Sequence, residues 1–183
     1  RYRIASVEGE AETPVTDRAG CSFTTASADR VRGEVTVCFA SCIDIEDNPM
    51  WNDVRAAAPD MLALIGDTPY IDSTDLEIAR ERHREFLGMP GLAELARSTP
   101  TVGTWDDHDF GRNNANGGSL RDGRARTRQA FVEYRAHRRF GTGTEGVFHN
   151  VDLGLIEVFL LDPRYFSQTE PSPVDPRQPT CFG

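Results

Sequence analysis

A chain of 183 residues, 38% hydrophobic and 27% charged, has room for one domain with a sizeable core, and this composition excludes general disorder. Its net charge of −9 excludes a general nucleic-acid binder, because phosphate backbones are held by clustered basic residues without surplus acid. Polyvalent cations suit such a chain better, and all twenty basic residues are arginine, which reads as compositional bias.

In chain order, Tyr2 to Val7 and Cys21 to Thr25 read as short strands among polar and Gly/Pro turns, so 1–32 is expected to be the end of an N-terminal β module or a lead-in hairpin. EVTVCFASC (34–42) follows as a buried strand, then the acidic loop IDIEDNP. Residues 49–58 have helical character, ended by Pro59, and DMLALIGD (60–67) is a second buried strand. Asp72 to Arg97 is mostly helical, with Leu76, Ala79, His83, Phe86 and Leu87 at helical spacing, and Gly88, Pro90 and Gly91 divide it.

TPTVGTW (99–105) is a third strand, and GRNNANGGS is a loop suited to positive φ. Residues 121–139 form an arginine-rich amphipathic helix with Ala130, Phe131 and Tyr134 inward and its arginines on a solvated face. GVFHNVDLG and LIEVFLLD (146–162) pair antiparallel, the second strand apolar throughout, and the Pro-rich end of the chain is irregular. No apolar run approaches the about 18–20 residues that span a bilayer, and the first residues lack a signal-peptide core. Cys21, Cys38, Cys42 and Cys181 show no CxxC spacing; a disulfide among them is left open.

Strands alternating with helices predict an α/β layered domain, whose chemistry gathers beyond the carboxyl ends of the strands. Three successive strands end in Ser41-Cys42, in Gly66-Asp67-Thr68-Pro69-Tyr70, and in Asp106-Asp107-His108-Asp109. Carboxylates so crowded repel one another unless protonated or neutralised, and a polyvalent cation resolves this. A thiolate and a phenolate call for a strongly Lewis-acidic ion such as Fe3+; the aspartates beside them suit Ca2+ or manganese.

FASC, GDTPY, TWDDHDFGRNN and FLLDPRYF, in this order between about 34 and 166, resemble the alkaline phosphatase D (PhoD-like) family of metallophosphatases. The resemblance implies a metallophosphatase-type β-sandwich flanked by helices, with 33–183 as the N-terminal part of the catalytic domain. It implies that Cys42, Asp67 and Tyr70 ligate Fe3+, and that Asp67 bridges to a second Ca2+-type site, shared with Asp107, where another divalent metal is possible. His108 would contact the phosphoryl oxygens or protonate the leaving alkoxide.

Arg112, Asn113 and Asn114 lie just past His108, placed to donate to phosphate oxygens. Asp106 and Asp109 are read as supporting or capping carboxylates, and Asp162 and Arg164 as a pair that braces the loop under the site. His83, His137 and His149 are read as structural.

The family's further histidine ligands, expected beyond FLLDPRYF, have no counterpart in the 183 residues. The expectation is therefore an amino-terminal portion of a larger or cleaved enzyme, completed by a remaining C-terminal part on the same or a separate chain. The function expected is metal-dependent hydrolysis of phosphate monoesters and/or diesters through a metal-activated water, without a Ser nucleophile, and the family resemblance implies a secreted or periplasmic enzyme. Two alternatives stand beside it: a non-catalytic metal-binding or interaction domain of the same fold, and a magnesium phosphatase using Asp67 as nucleophile.

Overall fold

The computed structural model describes residues 5–8, 11–14, 33–46, 48–171 and 179–180. Near the N-terminus β1 (Ala5–Glu8) and β2 (Ala11–Pro14) form an antiparallel pair. The strand expected at Cys21 to Thr25 lies outside the described residues.

The next unit is a three-stranded parallel sheet with its helical crossovers. It runs β3 (Val37–Ala40), α1 (Met50–Ala56), β4 (Met61–Ile65), α2 (Leu76–Leu87), α3 (Pro90–Ala96) and β5 (Thr101–Thr104), with strand order β3-β4-β5. Local chemistry sets these boundaries. Asp75 caps α2 by accepting from the N–H groups of Glu77 and Ile78 at 2.9 and 3.1 Å, and Pro90 opens α3, where a missing N–H costs no helical hydrogen bond.

β4 is the central strand, so its two faces enter different clusters, as a near-continuous apolar run in a parallel sheet should. Leu62 and Leu64 pack with Trp51, Phe86, Leu92 and Leu95 under the helices. Met61 and Ala63 turn the other way, to Val102 and Leu160. Burying a side chain such as Phe86 or Leu62 completely contributes roughly 1.5–3 kcal/mol.

Beyond β5 come a single helical turn, α4 (Asp107–Phe110), and α5 (Arg124–Tyr134). They are followed by β6 (His149–Asp152), antiparallel to β7 (Glu157–Leu160), and by β8 (Gln168–Pro171) paired with β9 (Pro179–Thr180). Trp105, Phe110, Phe131, Phe140 and Tyr165 form an aromatic cluster between α4, α5 and the segment after β7.

Five features differ from the sequence reading. β3, expected to be buried, has no buried residue and leaves Phe39 60% exposed, because it is an edge strand of the sheet. The arginine-rich helix is shorter, because Arg135 is extended (φ −120°, ψ 120°) and turns inward. DHDF is helical, since Asp106 and Asp109 form a reciprocal capping box across one turn. β7 buries only one of its apolar faces: Val158 and Leu160 enter the core, whereas Phe159 is 67% exposed and Leu161 58%. The Pro-rich end contains the β8–β9 pair, where Pro171 and Pro179 sit at a register shift, a position that tolerates a missing N–H.

Candidate metal centre

Parallel pairing points β3, β4 and β5 the same way, so their carboxyl ends share one edge. The loop after β3 is tied to the loop after β4 by Cys42 N–H to the Gly66 carbonyl (3.2 Å) and Ile43 N–H to the Asp67 carbonyl (2.9 Å). Cys42 Sγ then lies 3.8 Å from Asp67 Oδ2.

The loop after β4 meets the end of β5 closely because residue 66 is glycine. A Cβ there would stand 2.6 Å from Asp106 Cβ, and its φ of +108° disfavours other residues. Asp67 Oδ1 accepts from His108 N–H at 3.2 Å, while the His108 carbonyl accepts from both Ile71 and Asp72 N–H at 3.0 Å. Cys42, Asp67, Asp72 and Asn114 all have φ between 51° and 62°. Left-handed backbone at non-glycine positions costs about 1–3 kcal/mol each and collects where a site over-determines the chain.

Oxygen and nitrogen atoms of Asp67, Asp107 and His108 lie within 4.8 Å of one another, with both carboxylates buried. Burial pushes the Asp67 carboxyl up, and Asp106 and Asp107 push it further, against the lowering effect of the His108 N–H. Arg164 pairs with Asp106, reaching its Oδ1 from Nε at 2.5 Å, and with Asp107 at 3.4 Å. Among the described residues no arginine pairs with Asp67. A buried carboxylate next to two others, with no arginine partner among the described residues, has the electrostatics of a cation ligand.

Tyr70 and Cys42 lie beside Asp67. Tyr70 packs its ring 4.6 Å from the His108 imidazole, and its phenol is pushed up to about 12 by burial, then by Asp67 and Cys42. It stays protonated in this environment unless a large positive charge is added. Thiol, phenol and carboxylates at one strand edge fit a Lewis-acidic metal ion.

PhoD-like phosphatases match residues 72–181, more than half of the chain. The chain belongs to the PhoD-like phosphatase family. A solved structure of PhoD has the same fold over 88% of this chain, with TM-score 0.68 at 22% identity. This chain spans 39% of the length of that one. No curated protein sequence matches it significantly.

Members of this family are metal-dependent phosphate-ester hydrolases, and the Asp67–Asp107–His108 group is where this PhoD-like chain can hold a metal. The other expected site residues divide by position. Arg112, Asn113 and Asn114 are exposed on the loop after α4, and only the Asn114 N–H reaches the centre, donating to Asp107 Oδ2 at 2.5 Å. Asp109 is turned away beneath the site, 1% exposed, accepting from the N–H groups of Asp106 (2.5 Å) and Thr68 (3.4 Å). Burial pushes its carboxyl up to about 8.

Asp162 and Arg164 do not form the expected ion pair. Asp162 accepts instead from Trp105 Nε1 (2.7 Å) and from the N–H groups of Val147, Tyr165 and Arg164, which frees the Arg164 guanidinium for Asp106 and Asp107. His83 is buried at 1% exposure against Tyr134 and Phe131, and His137 and His149 pair with each other at 4.0 Å between ring centroids.

Asp72 and Arg135 escaped the sequence reading. Asp72 Oδ1 lies 2.6 Å from His108 Nδ1. Burial pulls the His108 imidazole down, but the hydrogen bond and charge of Asp72, with Asp107 and Asp67, raise it overall. The only signal for Asp72 was a second acid five residues after Asp67; Arg135 was one arginine among many.

Proposed function

We propose that this chain carries the metal centre of a phosphoesterase that hydrolyses phosphate monoesters, diesters or both by in-line attack of water. The observation that carries the reading is the meeting of Asp67, Asp107 and His108 within 4.8 Å at the strand ends of a PhoD-like chain. Cys42, Asp67 and Tyr70 would hold Fe3+, and Asp67 with Asp107 would hold Ca2+ or another divalent ion. When bound, such ions supply Lewis acidity to the phosphoryl oxygens and lower the pKa of a water.

The chain's own groups do the rest. Asp72 holds His108 through Nδ1, which leaves Nε2 to donate a proton to the leaving alkoxide. Arg164 keeps Asp106 and Asp107 together in spite of their like charge. The exposed loop of Arg112, Asn113 and Asn114 offers donors to the non-bridging phosphate oxygens, Arg112 through its planar fork.

The same reading assigns residues 33–183 to the N-terminal part of a layered metallophosphatase β-sandwich and 1–32 to a preceding β module or hairpin, in a secreted or periplasmic enzyme. Its remaining layers and histidine ligands come from a C-terminal part, on the same or a separate chain. Two observations support this division: the 39% span of PhoD, and the exposure of Phe39 (60%), Ile65 (44%), Phe159 (67%) and Leu161 (58%) on sheet strands and their ends. Among the described residues no helix is long and apolar enough to cross a membrane.

The test is turnover of p-nitrophenyl phosphate and bis(p-nitrophenyl) phosphate by the purified enzyme with its C-terminal part present, with metal analysis of the same sample. Turnover of either, lost in Asp67→Ala, is expected. Metal retention without turnover would instead favour a non-catalytic domain, and a trapped aspartyl-phosphate at Asp67 would favour the magnesium-dependent nucleophile.

A further inference from the structure

Arginine 135 is 6% exposed, at the point where α5 ends and the chain becomes extended. Its Nη2 donates to the Thr68 carbonyl at 2.6 Å, its guanidinium lies 5.3 Å from the centre of the Phe131 ring, and Nε and Nη1 are buried without a hydrogen-bond partner among the described residues. A buried cation is costly, and an apolar side chain of similar volume would fill the same space more cheaply. Some interaction that an apolar group cannot make must therefore account for it.

Two neighbours supply that interaction. Thr68 follows Asp67 in the loop after β4, and both of its peptide groups are held: its N–H by Asp109 Oδ2 (3.4 Å), its carbonyl by Arg135 (2.6 Å). Asp109, two residues beyond Asp107, also interacts electrostatically with Arg135. One guanidinium thus bears on both loops that deliver the acidic groups of the site. The sheet leaves room for it at Gly103, where a Cβ would stand 3.3 Å from Arg135 Nε and 3.1 Å from the Leu64 carbonyl oxygen.

We propose that Arg135 is a positioning residue of the metal centre: through the Thr68 carbonyl and Asp109 it fastens the Asp67 loop to the underside of α4 and sets the spacing between Asp67 and Asp107. It touches neither substrate nor ion. The proposal rests on the metal-site reading above for its consequence, and on the described contacts for its geometry.

The experiment compares the purified wild-type chain with Arg135→Met, Arg135→Lys and the double variant Arg135→Met/Asp109→Asn. The readouts are amide hydrogen exchange, the thermal midpoint and affinity for Mn2+ alone. In Arg135→Met, exchange at Thr68, Ile71, Asp72 and His108 should rise at least tenfold while Leu62 to Leu64 in β4 stay protected, and Mn2+ affinity should fall at least tenfold. Arg135→Lys, which keeps the charge and a donor, should recover part of both losses.

The double variant removes the buried guanidinium and the buried acid together. It should regain thermal stability but neither the exchange protection nor the affinity. Unchanged exchange in Arg135→Met, an equal rise in β4, or full recovery by the double variant would overturn the proposal in favour of plain charge balance. If the wild type binds no Mn2+, the metal-site reading fails, whereas the exchange comparison still decides what Arg135 does. Should Arg135→Met not fold, Arg135→Gln, which keeps a donor for the Thr68 carbonyl and loses the charge, carries the same comparison with a smaller expected rise.

Discussion

His108 donates from Nδ1 to Asp72 Oδ1 at 2.6 Å, so the imidazole presents Nε2 to whatever occupies the strand edge. A general acid contributes about 10²–10⁴ to a rate, and most where the leaving group is poor. His108→Ala should therefore cut kcat by at least about 10² with an alkyl phosphate and by much less with p-nitrophenyl phosphate. Asp72→Asn should show the same pattern, weakened. Kinetics over a series of leaving groups checks this; equal losses on all of them would remove His108 from the proton-donating role.

Gly66 allows Asp106 to sit where a side chain would otherwise stand. Gly66→Ala combines left-handed strain with overpacking, each about 1–3 kcal/mol, so the variant should be less stable by at least about 2 kcal/mol. Urea unfolding measures it. A variant within about 0.5 kcal/mol of wild type would mean that the loops after β4 and β5 are not in close contact.

Burial, and then the charge of Arg135, lowers the pKa of His83 to about 3, whereas in an unfolded chain it is about 6.5. The folded state keeps the ring neutral while the unfolded state takes up a proton. The contribution is thus fully present above about pH 6.5 and is lost as pH falls from there towards 3. His83→Phe should have a flatter stability profile over that window, with a residual slope from His137 and His149, which burial also lowers. Unfolding midpoints between pH 7.5 and 4.5 decide it; parallel profiles would contradict a buried neutral His83.

Phe39 and Phe159 are exposed by 60% and 67% on sheet strands. Replacing both by Asp should change stability by only about 1 kcal/mol in total, since exposed sites contribute little. It should also reduce binding of an apolar dye and self-association in light scattering. Loss of folding would show that these rings are part of this chain's own core.

Much of this arrangement was legible because its signals are local. MLALI is a buried run, and GDTPY and TWDDHD follow their strands directly, so parallel pairing alone gathers Asp67, Asp107 and His108. Features set by distant partners were not. Asp72 resembles a helix-capping acid until the loop folds back onto His108, and Arg135 differs from its solvated neighbours only because Gly103 leaves it space. One turn of helix at DHDF is too short to show a period. The exposed face of β7 reads as core because an apolar run does not say what covers it.

The central claim is that the carboxylates at the ends of β4 and β5 form a metal centre. Its most direct test is the metal content of the purified protein by mass spectrometry, wild type against Asp67→Ala, after exposure to iron and calcium and removal of free ions. The account predicts bound metal in the wild type and its loss in the variant, with the fold retained by circular dichroism. Equal metal content in the two proteins, or none in the wild type, would contradict it.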